Sequence, residues 1–101
     1  MLPRQLRPLF WDYDFKILSW EKNKDLITAR VLAAGEWDAI AWLRSRIGDR
    51  ALAEWIKRRQ GRGLSPEQLR FWELILELSP KEVNSWLEAA GRIIWEKRMN
   101  L

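Results

Sequence analysis

The chain has 101 residues, 18 of them Lys or Arg and 14 Asp or Glu, with eight tryptophans and neither cysteine nor histidine. A chain of this length makes one domain that removes about two-thirds of its surface from water and folds alone, and without Cys or His it has no disulfide framework and no Cys/His zinc site. No apolar run approaches about 18 residues, and residues 1–8 are broken by Pro3, Arg4, Arg7 and Pro8, which argues against a membrane span and a signal peptide and makes a cytoplasmic protein the expectation.

Residues 1–13 read as an extended strap, with Leu9-Phe10-Trp11 as an apolar plug tying it to the body. Asp14 is placed to cap a short turn. Ser19 then caps a helix over 20–34 whose Trp20, Ile27, Val31 and Ala34 share a face, with Leu26 and Ala33 beside it. Gly35 ends that helix in the left-handed position glycine tolerates. The next helix, 36–47, turns Trp37, Ile40, Ala41, Leu43 and Ile47 to one side and stops at Gly48, leaving Trp42 outside the stripe. A third helix, 49–60, puts Leu52, Trp55 and Ile56 inward and Arg50, Glu54, Lys57 and Arg58 outward.

Gly61 and Gly63 break the third helix, and the plainest start signal of the chain follows. Ser65 is an N-cap, Pro66 fits a first turn, Gln68 closes a capping box, and Leu64 and Leu69 form a hydrophobic staple. Over 65–78 the polar residues Arg70, Glu73 and Glu77 form a narrow strip. Leu69, Phe71, Trp72, Leu74, Ile75, Leu76 and Leu78 sweep roughly 220° around the rest, which predicts a central, almost fully shielded helix. Ser79-Pro80-Lys81-Glu82 repeats the start signal. It opens a last helix to residue 98 that buries Val83, Trp86, Leu87, Ala90, Ile93 and Ile94, with Trp95 on its polar side. No alternating strand pattern occurs, so the expected fold is all-α: a compact single-domain bundle of about five helices, residues 1–101, with the extended strap in front.

Eight tryptophans are mostly core material, yet a domain this small struggles to hide them all, so one or two at a partner surface are expected. Charge concentrates in the middle: residues 41–70 hold eight basic and three acidic groups, densest at Lys57-Arg58-Arg59-Gln60-Gly61-Arg62. Cations at a helix C-terminus account for much of this without a ligand. Without His or Cys the usual nucleophile-base pairs are absent. Glu73 and Glu77 read as a solvated strip beside Arg70, and Asp12-Tyr13-Asp14 lacks the surroundings of a metal site. No enzyme, cofactor or metal is expected.

The pair of helices 49–60 and 65–78 has the turn length of a helix-turn-helix. Its second helix, however, offers few outward polar residues, three of them anionic, which suits base edges poorly. Phosphate contact through Arg44, Arg46, Lys57, Arg58, Arg59 and Arg62 stays open as weak nucleic-acid binding.

Leu9-Phe10-Trp11-Asp12, Trp20-Glu21-Lys22, Ile27, Arg30-Val31-Leu32, Gly35, Trp42-Leu43, Gly48, Leu64-Ser65 and Phe71-Trp72 occur in an order and spacing that resembles a family of short bacterial helical domains of unknown function opening with an LFWD signature. The resemblance spans about residues 9–78. The family often has proline where Phe15 stands and histidine where Asn23 stands, and residues 79–101 lie outside it. It implies a role by neighbourhood: members are typically encoded beside abortive-infection type E nucleotidyltransferase toxins and are presumed antitoxins. The resulting expectation is a non-catalytic protein that binds and restrains such a toxin, with Trp42, Arg46, Lys57, Arg58, Arg59, Arg62 and Trp95 as contacts. The alternatives are a nucleic-acid-binding regulator using the same basic segment and a self-associating module whose tryptophans meet across a dimer.

Overall fold

The computed structural model describes residues 2–89. Expectations for Ala90, Ile93, Ile94 and Trp95, and for the end of the last helix, lie outside the described residues. Within them the protein is all-α, with no strand. Five α-helices follow one another as α1 (Trp20–Ala34), α2 (Trp37–Ile47), α3 (Asp49–Arg59), α4 (Pro66–Ile75) and α5 (Pro80–Ala89). No helix among the described residues is long and apolar enough to cross a membrane. The chain divides between Gly48 and Asp49 into two compact units.

The N-terminal unit corrects the reading of residues 1–13. They are not extended: Arg4–Phe10 is a 3-10 helix, and the apolar plug is Leu6 and Phe10, both buried, while Trp11 points into solvent at 85% exposure. Leu6 and Phe10 rest against the body with Leu9 half-buried between them, and Trp11 lies beyond. Asp14 caps Phe15–Ile17 as expected, its carboxylate accepting from the Lys16 backbone N–H at 3.2 Å.

Ser19 caps α1 through Lys22 N–H at 3.3 Å, and Asn23 Oδ1 accepts from the Ser19 backbone N–H at 3.0 Å. That second bond holds Asn23 at φ −120°, ψ 24°, a kink one turn into α1. The buried face of α1 is Ile27, Thr28, Val31 and Leu32, while Ala33 and Ala34 are exposed and Trp20 half-buried. Gly35 is not left-handed: it is extended at φ −72°, ψ 146°. Its requirement is steric, since a Cβ there would sit 2.6 Å from the Val31 carbonyl oxygen and 3.3 Å from Ala39 Cβ.

Along α2 the stripe is turned from the expected one. Ala39 and Leu43 are buried, Trp42, Ile40 and Ile47 half-buried, and Trp37 and Ala41 exposed. The expected stripe weighted the bulky Trp37, yet the small Ala39 is what fits beside Gly35. Gly48 closes α2 at φ +84°, ψ 148°, a backbone state essentially restricted to glycine.

In the C-terminal unit α3 buries Leu52, Trp55 and Ile56, as its periodicity requires. Its end is a Schellman motif: Gly61 N–H bonds Ile56 C=O, Gln60 N–H bonds Lys57 C=O, and Gln60 takes the left-handed φ of 53°. The capping box at α4 is present in both directions, Gln68 N–H to Ser65 Oγ at 3.1 Å and Ser65 N–H to Gln68 Oε1 at 2.9 Å. Leu69 is fully buried and approached closely by Gly61, where a Cβ would come within 2.7 Å of a Leu69 methyl. α5 begins with the Ser79 side chain accepting from Glu82 N–H and buries Val83, Trp86 and Leu87.

The expectation of a shielded central helix over 65–78 does not hold. α4 ends at Ile75 and buries only Leu69 and Trp72, while Leu74 is 78% exposed and Phe71 and Ile75 each 40%. α4 stops there in a second Schellman motif: Leu78 N–H bonds Glu73 C=O and Glu77 turns left-handed at φ 54°. That turn takes Leu76 and Leu78 out of the helical register on which the 220° arc rested.

Candidate partner-binding surface

Trp11 stands on a fixed base. Phe10 before it is buried, and Tyr13 N–H bonds Phe10 C=O at 3.0 Å, closing the turn that carries Trp11. Asp12 after it is gripped by Arg30 of α1 in a fork, Nη1 to Oδ1 at 2.8 Å and Nη2 to Oδ2 at 2.7 Å. Arg30 Nη1 also donates to the Leu9 carbonyl at 2.8 Å, and its guanidinium lies 5.7 Å from the Phe10 ring centre and 5.4 Å from that of Tyr13. A planar, delocalised cation is the one side chain that satisfies a carboxylate, a carbonyl and two ring faces together. The hydrogen bonds from Arg30 hold the Asp12 carboxyl below the usual carboxylate range, and the same contact raises Arg30. Chemically this is a clasp, which leaves Trp11, with Tyr13 and Ile17 also exposed, presented on a preorganised turn.

A second feature of the N-terminal unit contains two residues expected at a contact. Trp42 meets Trp20 edge to face, 5.7 Å between ring centres and 88° between planes, and Arg46 lies 5.7 Å over the Trp20 ring. With Leu2, Pro3 and Glu21 these residues line a cleft of about 330 Å³. Trp42 therefore packs on Trp20. Arg46 is 3.7 Å from Glu21, so the pair is loose and solvated, of the kind that contributes little to stability.

Lys57, Arg58, Arg59 and Arg62 belong to the C-terminal unit, and most are engaged there. Lys57 Nζ lies 3.7 Å from Glu82, Arg59 lies 4.7 Å over the Trp55 ring, and Arg62 Nε donates to the Arg59 carbonyl at 3.1 Å. Arg58 is exposed. The structure thus brings Trp42 to Arg46, and Arg59 to Arg62, in separate units. Trp95 lies outside the described residues. Of the carboxylates weighed for chemistry, Asp12 is held by Arg30, Asp14 serves as a cap and Glu73 is held by Arg70 at 2.6 Å, while Glu77 is exposed.

Sequence reasoning missed Trp11 and Trp37, the two most exposed indoles among the described residues, at 85% and 63%. Their positions read as apolar plug and stripe, because bulk and spacing alone put both on the apolar side of their elements.

The family model described as a family of unknown function, DUF6922, matches residues 6–56, half of the chain, and the chain belongs to that family. No curated protein and no solved structure matches it. The matched stretch runs from the 3-10 helix into α3, so it contains Trp11, the Asp12–Arg30 clasp and the Trp20–Trp42 pair but neither α4 nor α5.

Proposed function

We propose that this protein is a non-catalytic, antitoxin-like partner that binds and restrains a nucleotidyltransferase toxin in the cytoplasm. The resemblance to bacterial domains encoded beside such toxins supplies the partner class. The mode of binding is supported by one observation above others: Trp11 is 85% exposed on a turn pinned by the Asp12–Arg30 clasp. Indoles are over-represented among the residues that dominate interface energy, and a rigid display avoids the entropy lost when a mobile side chain is immobilised. Trp42 and Arg46 offer a supporting cleft, the arginine at its edge supplying charge for steering.

The basic segment gives less support to a nucleic-acid regulator. Lys57, Arg59 and Arg62 already have partners within their own unit, and the outward face of α4, which a helix-turn-helix would aim at bases, is apolar.

Co-purification with a nucleotidyltransferase of that toxin class is the test. Trp11→Ala is expected to weaken retention by at least about tenfold, the loss of one hot-spot side chain. Trp42→Ala with Arg46→Ala should have a smaller effect, and Arg58→Ala with Arg59→Ala smaller again. Undiminished binding of Trp11→Ala overturns the proposed mode, and binding to generic DNA that falls steeply with salt favours the regulator instead.

A further inference from the structure

The C-terminal unit has an apolar face that the proposal above does not use. α4 buries Leu69 and Trp72 and leaves Phe71, Leu74 and Ile75 outward, at 40%, 78% and 40% exposure. Spacings of three and four residues put these side chains in one stripe on the helix surface. This is the pattern by which one amphipathic helix lies on another. Three side chains fall well short of the roughly 800 Å² per partner that a stable pair of copies covers, so a second copy is a poor occupant.

The charges around the stripe give the sign of what fits it. Glu67 and Glu77 flank it and are exposed, while Arg70 is already held by Glu73 at 2.6 Å and by Asn84 at 2.5 Å. One residue past Ile75 begins a cleft of about 210 Å³ lined by Leu76, Trp86 and three carboxylates, Glu54, Glu77 and Glu82, with Lys57 as its cation. Lys57 is 3.7 Å from Glu82, so Glu54 and Glu77 are left to give the cleft its negative charge. The chain as a whole carries +4. A cationic ligand therefore gains nothing from the protein's net charge, and any attraction must come from this local arrangement.

We infer that the stripe and the cleft together dock a basic amphipathic helix of a partner protein, its apolar side resting on Phe71, Leu74 and Ile75 and a lysine or arginine reaching Glu54 and Glu77. Nothing in this depends on Trp11 or on the identity of the toxin.

The probe is a fluorescein-labelled peptide of about 18 residues, five helical turns, with leucine on one face and lysine on the other. Titrated with the full chain at low salt, it should bind, and Leu74→Asp should weaken binding by about tenfold or more. Because Leu74 is 78% exposed, that variant keeps its fold, which an unchanged far-ultraviolet circular dichroism spectrum verifies. Glu54→Gln with Glu77→Gln should reduce both the affinity and its salt dependence. Failure of the lysine peptide to bind, equal binding of a peptide with glutamate in place of lysine, or indifference to Leu74→Asp overturns the inference. A photo-crosslinking residue placed at position 74 of the full chain identifies the occupant: capture of the peptide supports the inference. A crosslink within the chain or between copies that shuts the peptide out overturns it.

Discussion

Asp12 and Arg30 meet across eighteen positions of chain, and their contact has a pH signature. Arg30 holds the folded-state carboxyl below the ordinary aspartate value of about 3.9, to which the unfolded chain returns. The clasp thus contributes stability that is fully present above that value and is lost as pH falls through the lower folded one. Arg30, itself raised, stays charged throughout. Carbon-detected NMR titration should give Asp12 a midpoint below about 3.9, and Arg30→Ala should return it to that value. It should also flatten the acid limb of stability. Both residues stood in the sequence and both belong to the LFWD-type resemblance, but a spacing of eighteen has no local periodicity to announce a contact. The same blindness covers Trp11 and Trp37. Bulk and hydrophobicity recommend an indole for the core, and only three-dimensional neighbours reveal that Phe10 and Ala39 have taken the inward positions.

Element boundaries were legible wherever side-chain chemistry sets them. Ser19 and Ser65 are caps that accept specific backbone N–H groups, and α1 begins and ends where the sequence predicts. α3 reads correctly throughout because its apolar residues Leu52, Trp55 and Ile56 recur at helical spacing with charges between them. The C-termini were harder. Gln60 and Glu77 take up left-handed φ without the glycine that normally marks such a stop. A search for glycine therefore runs α4 three residues too far and multiplies its apolar surface. The same geometry yields a stability prediction. Replacing Gln60 by glycine relieves a left-handed non-glycine residue, so Gln60→Gly should stabilise the protein by about 1 kcal/mol, even after the entropy glycine adds to the unfolded chain. Urea denaturation should show a higher midpoint with an unchanged slope. A lower midpoint would mean that the Gln60 side chain makes a contact worth more than the strain.

For the molecule as a whole, helical periodicity without strand alternation predicts an all-α chain and composition predicts indoles left over, and the structure distributes those it describes by depth. Trp55, Trp72 and Trp86 are buried in the C-terminal unit, Trp20 and Trp42 are half-covered, and Trp11 and Trp37 are open to water. Apart from Trp95, the expected contacts are neighbours in sequence, 42 to 62, and a boundary at Gly48 that no cluster of linker residues advertises divides them. The graded depth of the indoles has a spectroscopic consequence. A water-borne collisional quencher such as acrylamide should reach one class of emitters readily and another scarcely at all, giving a downward-curving Stern–Volmer plot. Trp11→Phe should remove much of the readily quenched, red-shifted component while sparing the blue-shifted one. Any partner that covers Trp11 should mimic that loss without any mutation, so the protein carries its own optical reporter of being occupied.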